Sequence, residues 1–196
     1  TEMEQFRTNL IDNYTGERIR ISPLAFITRA VITALKKYPN FNSSIDTKNN
    51  KLIYKKYFHI GFAVDTPHGL MVPKIRNADG MGLKEIFEEL KRVSKLCKEL
   101  KIEKKEFFGG SITISSLGGI GGNFFTPIIN PPEVAILGVG KTFEKIKRVD
   151  GKFIVRKMLP VSLSYDHRVI DGAEGAKFCV HLADSLGKDF AFKLAV

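Results

Sequence analysis

Ser162-Leu-Ser-Tyr-Asp-His-Arg-Val-Ile-Asp-Gly172 stands where a strand-like run gives way to a helical one. Met158 to Tyr165 reads as a β-strand, and Ala173 to Leu186 as a closing helix. A strand end is a rigid mount from which a reactive side chain reaches a cleft. His167 and Asp171 lie four apart here, with Asp166 and Arg168 beside the histidine. Two readings follow from the residues. In one, His167 is a general base with Asp171 in support. In the other, Asp166 and Arg168 form an ion pair and Asp171 caps the closing helix. The other histidines are weaker candidates: His59 precedes a strand, His68 sits in a turn and His181 lies in the closing helix. No two of the four have metal-ligand spacing on one helix face, so no metal site is expected.

Working back from this stretch, strands and helices alternate. Ser22-Pro23 opens a helix, since serine caps free amides and proline fits the first helical position. Leu24, Phe26, Ile27, Ala30, Val31 and Leu35 follow at helical spacing, and Tyr38-Pro39 should end it. Lys51 to Tyr54, Ile60 to Val64 and Leu70 to Ile75 read as strands, with Asp65 to Gly69 as a turn. Pro73 marks the last of these as an edge or a bulge. Leu83, Ile86, Phe87, Leu90, Val93, Cys97 and Leu100 make one apolar helical stripe, with Glu88 and Arg92 paired four apart on its wet side. Ser111 to Ser115 and Ala135 to Val139 read as strands, and Val149-Asp-Gly-Lys152 as a hairpin turn. One mixed α/β domain accounts for this order.

The composition fits. Of 196 residues, 43% are hydrophobic, which supplies a core and excludes a disordered chain. The longest apolar runs, such as 133–140, fall far short of the roughly 20 residues that cross a bilayer, so no membrane association is expected. The two cysteines, Cys97 and Cys179, form no disulfide framework and read as reduced thiols. The glycosylation-type patterns at Asn13 and Asn42 are therefore read as chance. The net charge of +10 could address a polyanion. However, the densest stretch, Lys84 to Glu106, is nearly balanced, and no nucleic-acid motif or aromatic interleaving accompanies the lysines. The surplus is read as solvated surface, with a phosphate-bearing small ligand left open.

Two glycine motifs fail their context tests. Leu117-Gly-Gly-Ile-Gly-Gly122 follows a strand, but Asn123-Phe-Phe-Thr-Pro127 comes next instead of the helix whose N-terminus would hold a pyrophosphate. Gly140-Lys-Thr142 ends like a P-loop, yet Ala135 stands where that motif needs glycine, and Lys141 to Lys147 alternates like a strand.

His167-Arg-Val-Ile-Asp-Gly172 matches the signature of the dihydrolipoyl acyltransferases, the core components of the 2-oxo acid dehydrogenase complexes. Further stretches resemble that family in its own order: Ser22-Pro-Leu-Ala-Phe26, Phe41 to Ile45, His59 to Pro73, Gly110 to Gly119 and Asn130 to Gly138. The resemblance covers nearly the whole chain and is nearest to the pyruvate-type, acetyl-transferring members. It implies an α/β fold, a two-layer mixed β-sheet with helices like that of chloramphenicol acetyltransferase. Residues 1–196 would be the acyltransferase catalytic core domain, N-terminally truncated, without the lipoyl and peripheral subunit-binding domains of full-length members.

The implied reaction passes an acetyl group from S-acetyl-dihydrolipoyl-lysine to coenzyme A. A succinyl or branched-chain acyl group is the alternative. His167 matches the family's base, Ser115 its oxyanion donor and Asp171 its supporting carboxylate; Ser116 stays open as the donor one position on. Coenzyme A contacts carry over to Arg7, Ser22, Asp65 and Gly140. No acyl-enzyme is needed, so Cys97 and Cys179 are expected to be dispensable. The resemblance further implies a homotrimer with His167 and Ser115 from different chains, and a core of 24 subunits. Lipoyl domains and the partner dehydrogenase components would join through absent domains. A bacterial cytoplasm is expected, with a mitochondrial matrix as the alternative.

Overall fold

The structure, a computed structural model, describes residues 1–11 and 14–194; Asn13 lies outside them. In chain order come α1 (Glu2–Thr8), α2 (Pro23–Lys37), β1 (Ser43–Asp46), β2 (Lys51–Tyr54), β3 (Ile60–Phe62), β4 (Val64–Thr66), β5 (Gly69–Met71), β6 (Lys74–Ile75) and α3 (Leu83–Lys98). After these come β7 (Ile112–Ser116), β8 (Ala135–Val139), β9 (Phe143–Val149), β10 (Lys152–Met158), β11 (Val161–Tyr165), α4 (Gly172–Ser185) and α5 (Phe190–Leu194).

A five-stranded mixed sheet in the order β11-β8-β7-β3-β6 forms the centre. β7 runs parallel to β3 and β8, while β11 and β6 run antiparallel at the edges. Side chains alternate across it. One face carries Ile60, Phe62, Ile112, Ile114, Leu137 and Val139, all buried against the helices. α2 lies deepest. The Ser22 Oγ accepts from the Leu24 N–H at 3.2 Å, Pro23 takes the first position, and Ala25 to Leu35 is buried except at Thr33. Within that run Arg29 avoids an unsatisfied burial by donating to the carbonyls of Asp79, Met81 and Leu194.

The other face is polar. Fully buried Lys74 pairs with Glu133, whose second oxygen accepts from the Thr113 Oγ1 at 2.6 Å. Gly61 lies under this group; a Cβ there would meet the Lys74 Nζ and Thr113 Oγ1, each at 2.6 Å. Thr113 and Ser115 point to this side. Ser115 pairs in register with Gly138, which faces the Phe125 ring, and Gly138 pairs with Ser162.

Several sequence expectations need correction. The run from Ile60 to Val64 breaks at Ala63, whose N–H leaves for the Ile114 carbonyl, and β4 and β5 form a separate hairpin. Asp65 therefore lies in a strand, and the turn narrows to Pro67-His68. The run from Leu70 to Ile75 divides before Pro73, leaving β6 as a sheet edge, the place expected of a strand beside proline. Met158 to Tyr165 divides at Leu159-Pro160, because β10 pairs with β9 and β11 with β8. On α3, Arg92 pairs with Glu89 at 2.6 Å and Lys91 with Glu88 at 3.5 Å, three apart and not four.

Candidate active site

His167 is exposed on the turn between β11 and α4. The turn is pinned at several points. The Asp166 N–H donates to the Val134 carbonyl at 2.8 Å, and Ile170 is fully buried. The Arg168 guanidinium binds both Asp166 oxygens, and this hydrogen bonding holds the Asp166 carboxyl below the usual carboxylate range. Asp171 Oδ1 accepts from the Glu174 N–H at 2.7 Å, which caps α4. Both local readings of these side chains, ion pair and cap, are thus realised. The His167 ring faces Tyr165, 5.9 Å between centroids, and Tyr165 lies against Gly175 of α4.

Ser115 sits at the opposite end of the sheet. Its register partner across two strands is Ser162, from which β11 runs away toward Tyr165 and His167. The three steps from Ser162 to Tyr165 alone span on the order of 10 Å of strand rise. A base and an oxyanion donor act on one substrate at about 3 Å. One copy of the chain therefore does not assemble both groups around one acyl carbon.

The same end of β7 opens into two adjoining cavities on the helix-covered face. The larger, about 560 Å³, is lined by Ser22, Asp65 and Ser116 among others. The smaller, about 470 Å³, shares Ser22, Leu24, Ser116 and Gly119 with it and adds Gly140, Lys141 and Thr142. Three of the four residues carried over as coenzyme A contacts thus border connected space. Gly140 has a packing requirement as well: a Cβ would fall 2.2 Å from the Asn123 carbonyl oxygen. Arg7 borders neither cavity. Its guanidinium binds Glu4 through two bonds of 2.5 and 2.9 Å and donates to the Ile21 carbonyl at 3.0 Å.

Ser115 and Ser116, adjacent in sequence, face opposite sides of the sheet. Ser116 lines both cavities; Ser115 does not. Sequence reasoning missed the cavity's cationic wall. Lys91, Ser94 and Lys98 border the larger cavity, within the stretch Lys84 to Glu106 that the sequence presents only as nearly balanced charge. Their recurrence at i, i+3 and i+7 beside the apolar stripe was the available signal. Burial pushes the thiols of Cys97 and Cys179 up, away from nucleophilic use. Among the described residues no group of three or more His, Cys, Asp or Glu could hold a metal ion, and no helix is long and apolar enough to cross a membrane.

Comparison with known proteins agrees with this architecture. The chain is 50% identical over 186 residues to the dihydrolipoyllysine-residue acetyltransferase component of the pyruvate dehydrogenase complex of Cupriavidus necator. It is 48% identical over 188 residues to that of Haemophilus influenzae. Each match covers 95% of this chain but spans only a third, 33%, of the relative. Among solved structures it resembles the Azotobacter vinelandii dihydrolipoamide acetyltransferase, with a TM-score of 0.91 at 46% identity over 99% of this chain and 79% of that one. In that protein a serine, a histidine and an asparagine have been investigated for their role in the catalytic mechanism. The cubic core of a pyruvate dehydrogenase multienzyme complex matches with a TM-score of 0.92 at 46% identity, again over 99% and 79% of the two chains. Chloramphenicol acetyltransferase shares the fold alone, with a TM-score of 0.58 at 16% identity over 85% and 78%. The family described as 2-oxoacid dehydrogenases acyltransferase (catalytic domain) matches residues 1–191, and the chain belongs to that family.

Proposed function

We propose that this chain is the catalytic core of a dihydrolipoyllysine-residue acetyltransferase, passing an acetyl group from S-acetyl-dihydrolipoyl-lysine to coenzyme A. The observation that carries this reading is the pinned turn presenting His167 next to Tyr165, in a chain half identical to named acetyltransferases. The spacing of the Azotobacter residues supports the assignments. Its serine and histidine stand as far apart in sequence as Ser115 and His167, and its asparagine lies four after the histidine, where this chain has Asp171. Ser115, and not Ser116, is therefore the oxyanion donor in this reading.

A free thiol is mostly protonated at neutral pH. His167 takes the proton of the coenzyme A thiol as its sulfur attacks the thioester carbonyl. The carbonyl oxygen becomes an oxyanion that accepts from the Ser115 hydroxyl. Collapse of the tetrahedral intermediate breaks the bond to the dihydrolipoyl sulfur, which leaves with the proton held on His167. Asp171 acts through the backbone: by capping α4 it fixes the far end of the histidine turn. An ionised aspartate only accepts hydrogen bonds, whereas the asparagine of the relative also donates. Cys97 and Cys179 take no part.

The separation of His167 from Ser115 supports a site shared between copies, as in a homotrimer, and the likeness to the cubic core of a pyruvate dehydrogenase multienzyme complex supports trimers building a large core, in this reading of 24 subunits. Dihydrolipoyl-lysine arrives on a lipoyl domain that is not part of residues 1–196. The bacterial relatives support a cytoplasmic setting. Acetyl transfer from acetyl-dihydrolipoamide to coenzyme A tests the whole reading. His167→Ala and Ser115→Ala proteins should each lose about 100-fold or more in rate. Co-assembling the two inactive variants should restore part of the activity, because some interfaces then combine one intact half from each. Near-normal transfer by His167→Ala refutes the catalytic assignment, and no recovery on mixing refutes the shared site.

A further inference from the structure

We propose that Tyr165 is a positioning residue for His167, held in place by a glycine-lined wall of α4, an inference that rests on the acyl-transfer reading above. His167 is exposed, and among the described residues no hydrogen bond engages its imidazole. A histidine side chain free in water has three staggered χ1 wells and two broad χ2 orientations, about six arrangements in all. A general base works from one of them, within hydrogen-bond reach of the proton it takes. The Tyr165 ring supplies a bias among the six. It stands 5.9 Å from the imidazole between centroids and is tilted by 35°, within the range where aromatic rings attract.

Such a bias requires that Tyr165 itself be fixed. Tyr165 ends β11, in register with Ala135, and two glycines of α4 face its ring. A Cβ at Gly175 would fall 2.8 Å from Cε1 and 3.0 Å from Cζ; one at Gly172 would lie 3.9 Å from the hydroxyl oxygen. Gly175 has no positive φ and lies in the first turn of the helix, so backbone geometry does not call for glycine there. Glycine is also the poorest helix former after proline. Room for the ring is what the position provides. The wall behind the ring is anchored as well. Asn40 Nδ2 donates to Glu174 Oε2 at 2.9 Å, while its Oδ1 accepts from the Tyr54 hydroxyl at 2.8 Å. Fully buried Phe178 stacks on Phe41 with 4.1 Å between centroids. The first turn of α4 therefore cannot retreat, and the ring stays where the imidazole meets it.

The test measures acetyl transfer by the assembled enzyme carrying Tyr165→Leu, Tyr165→Phe, Gly175→Ala, or Gly175→Ala with Tyr165→Leu. Without the ring, free choice among the arrangements leaves about a sixth of the imidazoles in place. Tyr165→Leu should then lose about fivefold in kcat, with the KM for both substrates unchanged. Tyr165→Phe keeps the ring and should recover most of that loss. Gly175→Ala favours the helix, yet its methyl displaces the ring and should lower kcat by about two- to fivefold. In the double variant the methyl has no ring to displace, so transfer should be no slower than in Tyr165→Leu alone. Wild-type kcat in Tyr165→Leu, a loss carried by KM, equal losses in the Leu and Phe variants, or losses that multiply in the double variant each overturn the inference. His167→Ala is measured beside them. If it transfers acetyl at a near-normal rate, the acyl-transfer reading falls and the inference with it; if it is inactive while Tyr165→Leu is unimpaired, only the role of the ring falls.

Discussion

Phe62, Ile114 and Leu137 on one side of the central sheet are buried under the helices, whereas on the other side Lys74 and Thr113 bind Glu133, and Gly138, the register partner of Ser115, faces Phe125. The first side is held by area. Each large side chain removed from water contributes about 1.5–3 kcal/mol, and neighbours of similar volume can substitute for one another. The second side is held by pairing. A buried charge there is tolerable only while its partner is present. Packing thus leaves latitude on the helix side, while the polar side depends on individual atoms.

The largest expected effect comes from breaking that pairing. Lys74→Met leaves Glu133 buried without its cation and should cost about 3–5 kcal/mol. Thermal unfolding would show it as a marked drop in Tm. Adding Glu133→Leu to it should recover much of the loss; if the double variant is no better than the single, the polar side is not held by this pair. Next in size is a change confined to β7. Ser115→Ala should slow acetyl transfer by about 100- to 1,000-fold with little change in KM, whereas Ser116→Ala should alter the KM for coenzyme A and leave kcat nearly intact. The reverse pattern would exchange the roles of the two faces. The smallest effect is at the histidine turn. Asp171→Ala removes the α4 cap and should destabilise the protein by about 1 kcal/mol, while Asp171→Asn should retain most of it. Chemical denaturation reads this as a shift in midpoint at constant slope.

The helix-facing side was legible in the sequence because its signals are local. Ser22-Pro23 announced the start of α2, and the stripe from Leu83 to Cys97 announced α3. The polar side was not legible, since its contacts join distant positions: Lys74 meets Glu133 across 59 residues, and nothing near either one indicates the other. The strand break at Ala63 was hidden for a related reason. The run through Ala63 stays β-prone and only the pairing partner divides it, whereas Pro160 is a local signal for the break at Leu159-Pro160, since proline cannot donate to a ladder. At the candidate active site, the sequence marks His167, Asp171 and Ser115 through their resemblance to a family. It could not place His167 and Ser115 at opposite ends of one sheet, which depends on the register of β11 through β8 to β7.

The adjacency of Ser115 and Ser116 on opposite faces carries a consequence for how β7 can evolve. A point mutation can alter either hydroxyl separately, because only Ser116 lines the two cavities. Inserting or deleting a single residue in β7 would change the faces of both together, turning the Ser115 hydroxyl toward the helices and the Ser116 hydroxyl away from the cavities. Lineages of this strand should therefore drift by substitution and resist changes of length.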